Sequence, residues 1–303
     1  MMMKMDYHNP VLLQPSVDGL DIKPDGVYVD VTFGGGGHSR EILSRLGPNG
    51  KLFAFDQDED ALANTIIDDR FTLINENFRY LKRFLRFYSI KSVDGILADL
   101  GVSSHQFDVP ERGFSTRFDA ELDMRMSKKN ELDAFKIVNQ YDETNLKRIF
   151  YDYSELSNAP AIAKVIIEAR ENEVIKNTEQ LKIVLSRFLP NHKSHKILAQ
   201  IYQGIRIEVN QEIDVLKEFL EQSLEILEPN GRLSVISYHS LEDRLVKRFF
   251  KNGMFEGEPE KDFFGNFSVP FQIIGKLIVP DHTEIKINNR ARSAKLRIAS
   301  KKV

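Results

Sequence analysis

The chain has 303 residues, of which 42% are hydrophobic and 29% are charged, an ordinary composition for a globular protein with room for one large or two modest domains. No apolar run approaches the roughly 20 residues that a membrane span needs, and the start of the chain lacks the apolar core of a signal peptide, so we expect a cytoplasmic protein. The net charge of −3 gives by itself no indication of nucleic acid.

Cysteine is absent from the sequence. The chain therefore has no disulfides, no thiolate metal ligands and no cysteine nucleophile, and we predict no metal site. Enzymes that methylate carbon 5 of a pyrimidine commonly add a cysteine thiolate to the ring first. The composition therefore argues against chemistry at that carbon.

The first motif is a glycine run between a strand and a helix. Residues 27–32 follow a Pro-Asp-Gly turn and are rich in valine, which predicts a short buried strand. Four glycines, 34–37, end it, and a helix is predicted from Ser39. An isolated glycine run is often only a flexible loop. Between a strand and a helix, however, it lets a ligand approach the backbone closely, which favours a nucleotide-type cofactor.

A second predicted strand, 51–55, ends in Asp56, about twenty residues beyond the glycines, where a carboxylate can bind the ribose hydroxyls of an adenosine cofactor. NAD and S-adenosylmethionine both fit this arrangement. The full Gly-x-Gly-x-x-Gly fingerprint of dinucleotide sites is missing, because its last position falls on Ser39 when counted from Gly34 and on Arg40 when counted from Gly35. A looser glycine turn suffices where no diphosphate is bound, which favours the methyl donor.

Strands and helices continue to alternate up to residue 99. The predicted elements are a helix at 58–67, a strand at 71–74, a helix at 81–88 and a strand at 93–99. This order predicts the α/β class with a parallel, doubly wound sheet, whose ligands lie at the carboxyl ends of the strands. Asp30, Asp56 and Asp99 all fall at or near such ends.

The pattern changes after the fourth strand. Residues 107–126 are polar without a clear period, whereas 134–207 has helical periodicity with breaks at 158–160 and 190–191. We infer an inserted helical domain. It serves either as a lid that only packs or as a device that captures the substrate, and the sequence favours neither.

The insertion divides the chain into two predicted domains. The first is discontinuous and consists of residues 1–108 and 208–303, and the second is the helical insertion at 109–207. The first carries the glycine run and the strands, so we expect it to bind the cofactor and the second to recognise the substrate.

Beyond the insertion the chain returns to the first domain. Residues 209–227 have the spacing of a long amphipathic helix, and a strand is predicted at 233–236. In the following helix, Ser240 and Asp243 are predicted to form a capping box. His239 then lies at a strand-to-helix turn on the ligand edge, where it is a candidate catalytic residue, although a lone histidine is more often structural.

Two clusters of basic residues stand out. The first comprises Lys286, Arg290, Arg292, Lys295, Arg297, Lys301 and Lys302. The second interleaves cations with aromatic rings and comprises Lys82, Arg83, Arg86 and Lys91 with Phe84, Phe87 and Tyr88. Such clusters suit a phosphate backbone with stacked bases, but either cluster alone is more often a solvated charged face, and only together with a cofactor site do the two indicate nucleic acid.

Eight motifs, distributed over nearly the whole chain, together give it a specific resemblance. They lie at 8–13, 32–39, 99–106, 112–115, 122–126, 206–210, 237–244 and 290–297. With these motifs in this order, the chain resembles the bacterial methyltransferase family that modifies the exocyclic amine of a cytidine in small-subunit ribosomal RNA.

The resemblance implies a Rossmann-like class I methyltransferase domain split by an all-helical insertion, acting on the N4 amine of one cytidine near the decoding region of 16S rRNA. It implies S-adenosylmethionine contacts at Gly36, Gly37, His38, Asp56, Phe78, Asp99 and Gln106. The expected partner is the RNA or the 30S particle, and both a monomer and a homodimer stay open. Two departures from the family pattern are Val31, where a small residue is usual, and 158–160, where a helix usually carries basic residues.

The chemistry itself needs little from the protein beyond alignment. A cytosine amine is a poor nucleophile, but the sulfonium methyl is already activated by its positive charge. Asp99 is the candidate catalytic residue: it could accept a hydrogen bond from the amine or hold the methionine end of the donor, and the resemblance favours the latter. Phe78 fits adenine packing and a core role equally well. A target base within folded RNA has to be flipped out.

Two other functions compete with this prediction. A nicotinamide-dependent oxidoreductase would use the same strand-helix-strand scaffold. This chain, however, lacks the third glycine of the dinucleotide fingerprint. A non-enzymatic RNA-binding assembly factor could retain the cofactor pocket as a relic.

Overall fold

The computed structural model describes residues 10–190, 193–261 and 267–303. Residues 8–9 of the first motif and residue 191 of a predicted break lie outside the described residues. The chain forms two compact units: one runs to Gly101 and resumes at Ile213, and the other is Val102–Glu212. In the described ranges, no helix has both the length and the apolar character that a membrane crossing requires.

Seven strands of the first unit form one sheet. They are β1 (Val27–Asp30), β2 (Lys51–Phe55), β3 (Phe71–Ile74), β4 (Val93–Asp99), β5 (Leu227–Ser237), β6 (Phe271–Ile278) and β7 (Lys295–Lys301). Their spatial order is β3-β2-β1-β4-β5-β7-β6. The order reverses between β1 and β4, which confirms the doubly wound α/β topology.

The sheet is not wholly parallel, so that part of the prediction is wrong. Strands β1 to β5 pair in parallel, but β7 runs antiparallel to both of its neighbours, β5 and β6. The prediction extended the parallel arrangement of the first strands, each of which is followed by a helical crossover, to the whole sheet. Between β6 and β7 the longest helix has six residues.

The α-helices of the described residues are α1 (Leu13–Asp18), α2 (Gly37–Arg45), α3 (Leu81–Phe87), α4 (Ser104–Asp108), α5 (Ala134–Gln140), α6 (Glu143–Arg148), α7 (Ala159–Asn172), α8 (Thr178–Val184), α9 (Ser194–Asn210), α10 (Glu212–Ile226), α11 (Ser240–Asn252) and α12 (His282–Ile287). In the first unit they cover both faces of the sheet. Alternate strand residues such as Val29 and Phe53 pack with α3, α10 and α11, whereas their neighbours Tyr28 and Leu52 pack with α1 and α2. This alternation follows from the two-residue period of a strand.

Three predicted helical boundaries differ from the structure. The predicted helix at 58–67 is a 3₁₀ helix, Glu59–Asn64, because the β-branched residues that follow disfavour further helical turns. The predicted helix at 209–227 divides at Gln211, whose left-handed φ of 52° ends α9 before α10 begins. The predicted break at 158–160 is the start of α7. Pro160 is tolerated there because the N–H groups of the first helical turn have no partner within the helix.

The second unit has an apolar core of its own, built from α5 to α9 and the polar segment before them. Two buried side chains hold that segment. Arg112 Nη2 donates to the carbonyls of Arg125 (3.0 Å) and Met126 (3.1 Å). Asn210 Oδ1 accepts from the N–H of Met126 (2.7 Å), and its Nδ2 donates to the carbonyl of Met124 (2.8 Å). Three sequence motifs therefore meet in one buried network.

Candidate active site at the carboxyl edge of the sheet

The candidate site lies where the strand order reverses. Neighbouring strands β2, β1 and β4 end with, or are followed by, Asp56, Asp30 and Asp99. In open α/β sheets the crevice outside these carboxyl ends is the usual ligand site. The pairing of these strands therefore brings the three carboxyl groups to the same edge of the sheet, where the sequence predicted them.

The glycine run forms a tight turn directly before α2. Phe33 N–H donates to the Phe55 carbonyl (2.9 Å), and Gly36 N–H donates to the Phe33 carbonyl (2.7 Å). Gly34 and Gly36 have φ values of 50° and 74°, which glycine adopts without strain. No side chain in the described ranges caps α2. The N–H groups of its first turn are therefore available to an anionic group such as a carboxylate.

Close packing requires glycine at two of these positions. A Cβ atom on Gly37 would lie 2.0 Å from Cγ of Pro10, and one on Gly36 would lie 2.8 Å from Cε2 of Phe33. A Cβ on Gly34 would meet no atom within 4 Å. The turn is thus crowded on its protein side and open over Gly34.

Asp56 fastens this turn to the end of β2. Its Oδ2 accepts the N–H of Gly34 (2.7 Å), and its Oδ1 accepts the N–H of Asp58 (2.9 Å). Burial nevertheless raises the pKa of Asp56 to about 6. Because each carboxylate oxygen has two lone-pair sites, Asp56 keeps the capacity to accept ribose hydroxyls.

Asp30 ties the end of β1 to the first turn of α2. It is fully buried, and its two oxygens accept Ser39 Oγ (2.7 Å) and Thr32 N–H (3.1 Å). Burial raises its pKa to about 6. The sequence placed Asp30 at a strand end but gave it no task; the structure shows that it positions the backbone around the glycine turn.

Asp99 divides its two oxygens between two side chains. Oδ1 accepts the phenol O–H of Tyr238 at 2.8 Å, and Oδ2 lies 3.9 Å from Nδ1 of His38. The Asp99 N–H donates to Thr32 Oγ1 (2.6 Å). Burial raises the pKa of Asp99 to about 6, while the hydrogen bond from Tyr238 opposes that rise.

The tautomer of His38 follows from its other nitrogen. Nε2 lies 3.2 Å from the carbonyl oxygen of Val11, which can only accept, so Nε2 carries the proton. Burial lowers the pKa of His38, so the ring is neutral and Nδ1 presents a lone pair. Nδ1 of His38 and Oδ2 of Asp99 are then two acceptors that face each other, which is a fitting place for a hydrogen-bond donor.

The electrostatics of this edge suit a cation. The charge of Asp30 raises the pKa of both Asp56 and Asp99, in addition to the effect of burial. Nearby carboxylates repel one another, and a positive group placed among them relieves that repulsion and favours their ionised forms. S-adenosylmethionine carries a sulfonium and an ammonium group, and its carboxylate matches the first turn of α2. The residues therefore fit this cofactor.

The other predicted site residues lie as follows. Phe78 begins a 3₁₀ helix after β3, and one side of its ring makes an edge contact with Phe219 (centroids 5.3 Å apart). It is only partly buried. Gln106 belongs to the second unit, where it forms a capping box with Ser103 at the start of α4. These placements leave their cofactor roles as predictions.

The capping box of α11 is one residue earlier than predicted, so the Ser240–Asp243 prediction is wrong. His239 is the N-cap, its Nδ1 accepts the N–H of Glu242 (3.5 Å), and Glu242 Oε2 accepts the His239 N–H (3.3 Å). Histidine is an uncommon N-cap, and the pattern Ser-x-x-Asp is the more familiar signal. Asp243 instead pairs with Lys295 and Arg297 of β7.

Comparison with known proteins now decides the family. The MraW methylase family matches residues 5–302. The protein named Ribosomal RNA small subunit methyltransferase H from Flavobacterium johnsoniae is 78% identical over 297 residues, which cover 98% of each chain. Its namesake in Bacteroides thetaiotaomicron is 55% identical over 300 residues, which cover 99% of each chain. The chain belongs to the MraW methylase family.

Membership in the MraW methylase family confirms the resemblance drawn from the motifs. It also confirms S-adenosylmethionine as the cofactor and excludes the nicotinamide-dependent alternative. The carboxyl edge of the sheet includes two side chains that the sequence did not single out, Tyr238 and Thr32. The only sequence signal for Tyr238 is its place after the β5 strand, in the same motif as His239.

Proposed function

We propose that this methylase transfers a methyl group from S-adenosylmethionine to the exocyclic N4 amine of a specific cytidine in small-subunit ribosomal RNA, near the decoding region. The similarity to full-length relatives named for small-subunit RNA methylation is the observation that carries the substrate class. The absence of cysteine supports the amine as acceptor, because a thiolate route to carbon 5 is closed.

The residues at the sheet edge divide the task of alignment. The cofactor supplies a methyl group that its sulfonium charge already activates. The first turn of α2 holds the methionine carboxylate, Asp56 accepts the ribose hydroxyls, and Asp99 with His38 holds the ammonium group. Phe78 offers the open side of its ring to adenine. The backbone carbonyls near Leu100 accept the amine protons, so no side chain has to act as an obligate base.

Two further assignments belong to this proposal. The catalytic domain consists of residues 1–108 and 208–303. The helical insertion recognises the RNA; it comprises residues 109–207 and begins shortly after Gln106. His239 fixes the start of α11, and we assign it no proton transfer. Soluble small subunits or their RNA, not a membrane component, are the proposed partner.

Methyl transfer to small ribosomal subunits from a strain that lacks the modification tests the proposal. Labelled nucleosides from digested RNA are compared with N4-methylcytidine and 5-methylcytidine standards by chromatography and mass spectrometry. We expect label in N4-methylcytidine, its loss in Asp99→Ala, and its retention in the matched control Asp69→Ala, which replaces an exposed carboxyl group.

Two results would reject the proposal. Label in 5-methylcytidine would exclude the amine as acceptor. Subunits that bind the protein and stay unlabelled would favour the assembly-factor alternative. A nucleotide-resolution methylation map of a deletion strain then shows whether the modified cytidine lies near the decoding region.

A further inference from the structure

The solvent face of α3 carries an unusual set of side chains. Leu81 and Leu85 are buried, so the helix packs on the sheet through that side. Arg83, Arg86 and Phe87 are exposed, and their spacing of three and four residues places them on one face of the helix. Tyr88 and Lys91 follow in the turn after the helix and are exposed as well. We call these five residues the α3 platform.

The aromatic part of the platform is held in place although it faces water. Phe87 is 78% exposed, yet its ring stands edge-on against Tyr88 with centroids 5.2 Å apart. Tyr88 in turn contacts the ring of Phe53 on β2 at 5.5 Å. An exposed ring that is already ordered is a good surface for stacking a nucleic acid base, because little side-chain freedom remains to be lost.

The turn after α3 fixes the remaining member of the platform. Ser89 N–H donates to the Arg86 carbonyl (2.9 Å), and Ile90 N–H donates to the Leu85 carbonyl (2.8 Å). These two bonds, with Ser89 at φ 60°, form a Schellman motif. Lys91 therefore leaves the helix in a defined direction.

The charges of the platform are not neutralised within the protein. No ion pair links Arg83, Arg86 or Lys91 to a carboxylate in the part of the chain that the structure describes. The neighbouring cations Arg79 and Lys82 behave differently, because they pair with Glu218 and Glu225 of α10. In the second predicted basic cluster, Lys82 therefore serves an ion pair within the protein, whereas the cations of the α3 platform face solvent.

At least three of the seven cations of the other predicted cluster have partners inside the protein. Lys295 and Arg297 pair with Asp243, and Lys301 Nζ donates to the Leu227 carbonyl (2.7 Å). Of the two clusters, the α3 platform is therefore the better candidate for an external anion.

We propose that the α3 platform binds ribosomal RNA at a second place, with phosphates on its cations and a base on Phe87. The inference rests on the proposed function and deepens it. Three unpaired cations beside an exposed ring complement a phosphate backbone, whereas a second copy of the same face would bring like charges together. Lys91 precedes Val93, the first residue of β4, so the platform lies toward the amino ends of the strands, away from the catalytic edge. It therefore contributes to substrate affinity and not to the methyl transfer step.

Steady-state methylation of small ribosomal subunits, with binding of the same subunits measured separately by sedimentation, tests this proposal. The variants are the double substitution Arg83→Gln with Arg86→Gln, and Phe87→Ala. Phe87→Tyr serves as the conservative replacement. Lys82→Gln is the matched control, since it removes a cation from the same helix that already has a partner.

We expect both platform variants to raise KM and weaken subunit binding by roughly fivefold or more, with kcat and S-adenosylhomocysteine affinity unchanged. The double variant should also reduce the slope of log affinity against log salt by about 1.4 to 1.8, since each phosphate contact contributes about 0.7 to 0.9. Phe87→Tyr should restore binding, and Lys82→Gln should behave as the wild type.

Wild-type subunit binding and salt slope in the platform variants would overturn the proposal. If light scattering showed instead that these variants change the oligomeric state while binding stays intact, the platform would be a protein contact and the RNA assignment would be wrong. The sedimentation measurement does not need catalysis. A failure of the N4 proposal, seen as unlabelled or wrongly labelled RNA, is therefore distinguishable from a failure of the platform.

Discussion

At the residue scale, the protonation of Asp99 is set by the side chains around it. Tyr238 donates to one oxygen, which favours the ionised carboxylate, whereas the neutral His38 turns a lone pair toward the other oxygen. Burial and the charges of Asp30 and Glu242 act in the opposite direction. The balance raises the pKa to about 6, just below neutral pH, so loss of one contact is measurable in cofactor binding.

Tyr238→Phe removes a hydrogen bond that lowers the pKa of Asp99, so that pKa should rise further. The ionised carboxylate is the form that binds an ammonium group. As the pH is lowered, S-adenosylhomocysteine affinity should therefore begin to fall at a higher pH in the variant than in the wild type. We expect affinities within about twofold at pH 8 and a several-fold loss at pH 6, measured by calorimetry. Tyr202→Phe, which removes a phenol bonded to the Thr178 carbonyl, is the control. An acid limb at the wild-type position would contradict the assigned role of Tyr238.

Asp30 gives a prediction for stability. Its folded pKa of about 6 lies above the ordinary 3.8, so the folded state binds more protons between these values. Its contribution to the unfolding free energy is therefore most favourable below pH 4 and is lost as pH rises through 6. As the pH rises from 4 to 7, the unfolding free energy of Asp30→Asn should increase relative to that of the wild type by on the order of 2 kcal/mol. Urea denaturation at each pH measures this difference, and parallel stability curves would refute it.

The sequence predicted the positions of the carboxyl groups at the sheet edge better than those of the side chains that contact them. Asp56 and Asp99 follow apolar strands and can be placed from strand ends alone. Tyr238 and Thr32 act through a contact between β1, β4 and the end of β5, and pairing between distant strands leaves no local signal. The N-cap role of His239 was missed because histidine rarely occupies that position.

At the element scale, prediction succeeded where apolar alternation meets clear turn signals. Strands β2, β3 and β4 have the predicted bounds. Strands β6 and β7 were not predicted. Exposed polar residues and Gly275, at φ 68°, interrupt the pattern of β6. The cations of β7 suggested a phosphate surface, although Lys295 and Arg297 are paired with Asp243.

The Schellman turn after α3 predicts a stabilising substitution. Ser89 adopts a left-handed conformation, which glycine tolerates better than serine. Ser89→Gly should raise the unfolding free energy by roughly 0.5 to 1 kcal/mol, measured by urea denaturation. Ser44→Gly, at an exposed position within α2, should instead lower it by about half a kcal/mol. A loss of stability in Ser89→Gly would contradict this description of the turn.

At the scale of the whole molecule, the chain has two units with separate apolar cores. The chain passes from one unit to the other after Gly101 and after Glu212, seven and five residues from the boundaries inferred from the sequence. The change from alternating strands and helices to helices alone carried that inference. The exact boundaries could not be predicted, because Gln211 ends α9 through its backbone conformation and not through a proline or glycine.

The second unit is one continuous segment, so it should fold by itself. A fragment of residues 102–212 is expected to unfold cooperatively on heating, with helical circular dichroism. Asn210→Ala should lower its unfolding temperature by several degrees, because the substitution removes the buried hydrogen bonds that Asn210 makes with the Met126 N–H and the Met124 carbonyl. The exposed substitution Lys164→Ala is the control. A fragment without a cooperative transition would show that this core needs the rest of the chain.

The placement of β7 between β5 and β6 has a consequence for biosynthesis. During translation the helical segment has all its internal partners well before the final strand emerges, and β5 has to wait for residues 295–301 on one side. The sheet of the first unit, with the candidate site at its edge, is therefore completed only after the core of the second unit can form.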